Sequence, residues 1–151
     1  MDIIKSAGGE AIAVRADVSN TAEVKMLFDA AIAQFGKVDI LINNAGIALY
    51  KRIQETTDEE FDRLMAINLK GVFVTLREAA TRLESGGRIV NISSSVTRLM
   101  LPTYGPYSAS KAAGEQLTRV GQLNTQFRER LEVAGVEKWS SFKCHEANLL
   151  S

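Results

Sequence analysis

The chain has 151 residues, 46% of them hydrophobic and 24% charged, with eighteen basic and eighteen acidic side chains that cancel. This is the composition of one ordinary globular domain with a sizeable core, with no global charge to attract nucleic acid or a membrane surface. A single cysteine, Cys144, excludes an internal disulfide. No apolar run approaches the roughly 20 residues of a membrane span, and the start Met1-Asp2-Ile3-Ile4-Lys5 lacks the features of a secretion signal, so a cytoplasmic protein is expected.

Ala11 to Ala16 is apolar except for Arg15 and leads into Asp17-Val18-Ser19-Asn20, which predicts a strand ending at Asp17. Gly8-Gly9 before it reads as the end of a preceding helix. Asn20 with Glu23 marks a helix start. Val24, Leu27, Phe28, Ala31 and Phe35 recur at helical spacing, and Gly36 ends the helix. Val38 to Ile42, broken only by Asp39, predicts a strand buried on both faces, running into Asn43-Asn44-Ala45-Gly46.

Thr57 with Glu60 forms a capping box for a long helix over residues 58–84, which Gly86-Gly87 ends. Arg88 to Ser93 is the third strand and runs into Ser93-Ser94-Ser95. Pro102 and Pro106 mark a loop before a helix bearing Tyr107 and Lys111, predicted to continue through Leu117, Val120, Leu123, Phe127 and Leu131 to Gly135. Strands alternating with helices predict an α/β fold with a parallel sheet, whose ligands bind beyond the carboxyl ends of the strands. Asp17, Asn44 and Ser94 each fall at such an end.

Tyr107 and Lys111 are four residues apart, so on a helix they share a face about 6 Å apart. A free phenol is a poor acid–base catalyst near neutrality, and a cation one turn away favours the tyrosinate. A serine hydroxyl from a strand end could hold a substrate carbonyl beside the pair. A polar turn opening an ordinary helix is the plainer alternative for these residues taken alone.

Taken in order, Ala16-Asp17-Val18, Asn43-Asn44-Ala45-Gly46, Ile67-Asn68-Leu69, Ile89-Val90-Asn91-Ile92-Ser93-Ser94 and Tyr107-Ser108-Ala109-Ser110-Lys111 resemble the short-chain dehydrogenase/reductase family, especially its 3-oxoacyl-carrier-protein reductase-like members. The resemblance covers roughly residues 7–120. It implies a partial Rossmann-like, doubly wound parallel sheet and an oxidoreductase that moves a hydride between NAD or NADP and a small carbonyl or secondary alcohol. It implies Tyr107 as general acid/base, with Lys111 assisting its ionisation and bonding the nicotinamide ribose. Ser94 lies thirteen positions before Tyr107 and resembles the carbonyl-holding serine. Asn68 resembles the residue that holds a relay water from an interruption in the long helix; the plainer alternative is a polar side chain filling that kink. Asp17 resembles the side chain that bonds the adenine, with Val18 beside it, although an Asp ending a strand is also a common turn residue. Asn44, Ala45 and Gly46 resemble the cofactor-lining turn. The helices at 58–84 and 107–120 resemble the family's dimer-forming pair. No metal site is expected, since Cys144-His145-Glu146 lack ligand spacing, and Trp139 and Phe142 read as cover for local apolar surface.

The chain departs from the family pattern at both ends. It contains no Thr-Gly-x-x-x-Gly-x-Gly turn to hold a cofactor pyrophosphate, so weakened cofactor binding is expected and NAD cannot be told from NADP. The family's first two strands and its last strands have no counterpart, giving a single incomplete domain over 1–151. The strand at 11–17 must then pair directly with 38–43, leave a gap for a partner, or the sheet fails to form. Residues 121–151 show no buried strand pattern and no Pro-Gly turn, an abrupt change of the kind a frameshift or altered splice produces. Three readings stand: an incomplete oxidoreductase, a non-catalytic remnant that pairs with a full-length relative, and a fragment that never folds stably.

Overall fold

A computed structural model describes residues 2–121 and 131–133. Its elements are α1 (Asp2–Ser6), α2 (Thr21–Phe35), β1 (Ile40–Asn43), α3 (Asp58–Met65), α4 (Gly71–Arg82), β2 (Gly87–Asn91), α5 (Gly105–Gly121) and β3 (Leu131–Val133). Short 3-10 turns occupy Ile53–Glu55 and Ser95–Thr97, and a π turn at Ala66–Lys70 joins α3 to α4.

The helix starts follow their capping residues. Asn20 Oδ1 accepts from the Ala22 amide at 3.0 Å, and Gly36 closes α2 in the left-handed conformation. Thr57 and Glu60 exchange reciprocal bonds at the start of α3, where Lys51 also pairs with Glu60 at 2.5 Å. Together α3, the π turn and α4 make the predicted long helix, ending at Arg82 rather than 84. The interruption falls at Ala66–Lys70 and contains Asn68.

Among the described residues the sheet is parallel, in the order β1-β2-β3, with Ile40 opposite Arg88 and Asn43 opposite Asn91. Its apolar core joins Val24 and Phe28 of α2, Val74, Leu76 and Ala79 of α4, Leu83, and Ile89 of β2, with Leu41 and Leu117 packed against them. Burying side chains of this size contributes about 1.5–3 kcal/mol each.

Three expectations are corrected. Residues 11–17 join no ladder among the described residues, and Ile12 and Arg15 are exposed. An extended segment becomes a strand only when a neighbour accepts its backbone groups, and β1 pairs with β2 alone. The strand at 38–43 is not buried on both faces. Leu41 turns to the core, whereas Ile40 and Ile42, on the opposite face, are 57% and 60% exposed. An apolar run reveals hydrophobicity but not whether a second layer lies over it. Finally, the helix from Tyr107 does not continue through Leu131. Leu131–Val133 is a strand in register with Gly87–Ile89, so the segment after 121 does hold one. Apolar residues at the ends of a three-residue strand also fit a helical count, and so short a run cannot separate the two periods. Leu123, Phe127, Gly135, Trp139, Phe142, Cys144, His145 and Glu146 lie outside the described residues.

Candidate active site

Beyond the carboxyl ends of β1 and β2 the chain brings together four elements: the turn Asn44–Gly46, the π turn, the segment 92–97 and the first half of α5. Polar side chains join them. Asn43 Nδ2 donates to Asn91 Oδ1 at 2.7 Å across the strands, and Asn91 Nδ2 donates to Thr118 Oγ1 of α5 at 2.7 Å.

Asn68 is 3% exposed, and its amide makes three hydrogen bonds. Oδ1 accepts from the Ile47 amide at 2.9 Å, while Nδ2 donates to the Ile47 carbonyl at 2.8 Å and to Ser110 Oγ at 3.0 Å. This side chain therefore copies a strand-like pair of bonds to Ile47 and pins the loop after β1 to α5. Gly46 lies directly over it. A Cβ at that position would stand 3.2 Å from Asn68 Oδ1 and 3.5 Å from Lys111 Nζ, so the missing side chain lets the turn lie closely over an amide and an ammonium.

Lys111 is half-buried and donates to the Ile92 carbonyl at 2.9 Å. Burial pushes its pKa below the ordinary lysine value, because the charged form loses hydration. A cavity of about 20 Å³, room for one water, lies between Asn68, Asn91, Lys111 and Glu115. Tyr107, in the first turn of α5, meets the Tyr50 ring edge-on at 6.1 Å, and Tyr50 packs on Tyr104 at 4.8 Å. The Tyr107 hydroxyl enters no hydrogen bond among the described residues.

The three consecutive serines are distinct. Ser93 Oγ donates to Glu115 at 2.5 Å. Ser95 is exposed at the head of the 3-10 turn. Ser94 caps that turn, its Oγ accepting from the Val96 amide at 3.4 Å, which leaves its own proton uncommitted among the described residues.

The other end of the candidate site is looser. Asp17 Oδ1 accepts from the Ser19 side chain and amide, both at 2.8 Å, and these bonds hold its carboxyl below the usual value. No hydrogen bond of Asp17 reaches the Lys111 group. Val18 packs against Gly71, where a Cβ would come within 2.9 Å of it, and with Ala45 and Ile67 it lines a small hollow beside β1. Asn44 and Ala45 are exposed in their turn.

The predicted residues Gly46, Asn68 and Lys111 are thus gathered in one place, with Tyr107 one helical turn from Lys111, while Asp17 stands apart. Asn91, Ser110, Glu115 and Thr118 were not singled out from sequence. A signal for Glu115 was present, since Tyr107, Lys111, Glu115 and Arg119 recur every fourth residue and make one polar stripe on α5. Among the described residues no three His, Cys, Asp or Glu side chains gather as a metal site. No helix among them is long and apolar enough to cross a membrane.

A family model described as short chain dehydrogenase matches residues 1–137. A short-chain type dehydrogenase/reductase of Picea abies is 47% identical over 117 residues, which cover 75% of this chain and 43% of that protein. Elsinochrome reductase 1 of Elsinoe fawcettii is 41% identical over 120 residues, covering 79% and 45%. A Burkholderia cenocepacia protein described as a dehydrogenase, solved with bound NADP, superimposes with a TM-score of 0.81 at 34% identity, over 87% of this chain and 50% of that one. The chain therefore spans less than half the length of these curated relatives.

Proposed function

Because the chain belongs to the short-chain dehydrogenase family, we propose that it carries the proton-transfer centre of an oxidoreductase acting on a small carbonyl or secondary alcohol. What supports this reading is the meeting of Gly46, Asn68 and the half-buried Lys111 ammonium beyond the strand ends, with Tyr107 one turn before Lys111 on α5 and its phenol, like the Ser94 hydroxyl, uncommitted among the described residues.

In this reading Ser94 donates its hydroxyl proton to the substrate oxygen and holds it. Tyr107 gives a proton to that oxygen in reduction and takes one in oxidation. Lys111 bonds the ribose and supplies the cation beside the phenol. Asn68 keeps the π turn and the loop after β1 in place around them. NAD or NADP, when bound, supplies or accepts the hydride. Gly46, with Asn44 and Ala45, would line its nicotinamide end, and Asp17 with Val18 its adenine end. The Lys111 ammonium under the Gly46 turn offers a ribose a hydrogen-bond donor, and the Tyr50 and Tyr104 rings offer an apolar wall for a substrate such as a 3-oxoacyl group. The 151 residues contain no glycine-rich pyrophosphate turn, and each charge-assisted bond so forgone is worth roughly 1.5–3 kcal/mol. Calorimetric titration of these 151 residues with NADH and NADPH is expected to give dissociation constants above about 100 µM. Micromolar binding would overturn the expected impairment. Consumption of reduced nicotinamide that no carbonyl compound stimulates, in a protein proved to bind the cofactor, would overturn the oxidoreductase reading itself.

A second reading, a non-catalytic chain that pairs with a full-length relative, draws on the outward faces of α3 and α4. Phe61 and Phe73 are 41% and 46% exposed there, with the Arg77 guanidinium lying 5.5 Å over the Phe73 ring. Light scattering of the chain mixed with such a relative should show a mixed species that Phe73→Glu abolishes. No mixed species would dismiss this reading.

A further inference from the structure

The segment around Ser94 is held from one helix. Lys111 Nζ donates to the Ile92 carbonyl at 2.9 Å and Ser108 Oγ to the Val96 carbonyl at 2.8 Å. Between them in the chain, Ser93 Oγ and Thr97 Oγ1 both reach Glu115 Oε1, at 2.5 and 2.9 Å, and Thr97 shares its proton with the Ser94 carbonyl at 3.0 Å. Residues 92, 93, 96 and 97 are therefore tied to α5, and Ser94 is bracketed by the ties. The same helix carries Tyr107 two turns before Glu115.

Glu115 is 8% exposed, and its second oxygen lies 3.6 Å from Arg119. A buried carboxylate is costly, and an apolar side chain would fill the space with less loss of hydration. What the carboxylate adds is direction. It can only accept, so the Ser93 and Thr97 hydroxyls must turn their protons toward it, and neither is then available to a substrate. Of the three hydroxyls, that of Ser94 alone keeps its proton uncommitted among the described residues.

We propose that Glu115 is a positioning residue for Ser94: by accepting from Ser93 and Thr97 on either side, it sets the serine's place relative to Tyr107 and leaves Ser94 as the hydroxyl that meets the carbonyl. This rests on the oxidoreductase reading for the roles of Ser94 and Tyr107. The holding function itself does not, and it is measured without turnover.

The experiment compares amide hydrogen exchange in the 151-residue chain and its variants Glu115→Leu and Glu115→Gln. The turn amides of Thr97 and Arg98, which bond to the Ser94 and Ser95 carbonyls, are the reporters. In Glu115→Leu they should exchange about tenfold faster, while the α4 amides are unchanged. In Glu115→Gln, whose Oε1 accepts the same two bonds, exchange should stay within about threefold of the parent. Turn exchange unaltered in Glu115→Leu would overturn the proposal. So would equal acceleration in α4, which marks a merely structural role, or failure of the glutamine to rescue. Should Glu115→Leu not fold, Thr97→Val keeps the shape and removes one donor. It should accelerate Arg98 by about threefold, and no change there would overturn the proposal as well. Failure of the oxidoreductase reading appears separately, in cofactor-dependent turnover, and leaves these exchange rates untouched.

Discussion

Replacing Tyr107 with phenylalanine in the catalytically competent protein is expected to lower turnover by about a thousandfold, within the range a general acid–base group contributes. The substitution removes one oxygen and keeps the ring. The edge-on contact with Tyr50 at 6.1 Å survives, and no hydrogen bond among the described residues is lost. Stability should therefore change by less than about 0.5 kcal/mol, so that the loss is chemical rather than structural. Steady-state kinetics alongside a thermal melt separate the two. A Tyr107→Phe variant that keeps a tenth or more of its turnover would remove Tyr107 from the proton-transfer role.

Asn68→Ala is expected to act in the opposite way, through the fold. The amide is 3% exposed and serves the Ile47 N–H, the Ile47 carbonyl and Ser110 Oγ. Alanine supplies none of these bonds, and each buried group left unpaired costs about 1–3 kcal/mol. We expect a loss of about 3 kcal/mol, with the unfolding midpoint lower by roughly 6–12 °C for a chain of this size. Chemical denaturation of the variant against the parent measures it. A change below about 1 kcal/mol would show that water or a shifted π turn replaces the amide.

These two residues show how far the linear chain could be read. Asn68 was expected either to hold a relay water or to fill a kink. The structure shows the kink as a π turn at Ala66–Lys70 and the side chain bonding Ile47 and Ser110 beside a cavity with room for one water. Helix starts were legible because a cap is local: Asn20 and Thr57 bond amides two or three residues away. What failed was non-local. Whether residues 11–17 find a ladder, whether Ile40 and Ile42 are covered, and whether Leu131–Val133 joins β2 all depend on what arrives from elsewhere. Glu115 was overlooked for the same reason. Its polar stripe is visible in the sequence, but that it is buried against Ser93 and Thr97 is set by a contact spanning 22 residues.

The pairing of β1 with β2 carries a consequence in time. Asn43 and Asn91 are joined across 48 residues, and for this parallel ladder to close the span that forms α3, the π turn and α4 must fold back. Contacts of such separation lose their loop entropy before they gain any packing, which makes them late events in folding. The Gly46 turn and the serine segment hang from the ends of that ladder, so the candidate site is expected to assemble after its helices do. On gentle heating it is the part that should come apart first, with helical content still high while the reactive groups have already lost their alignment.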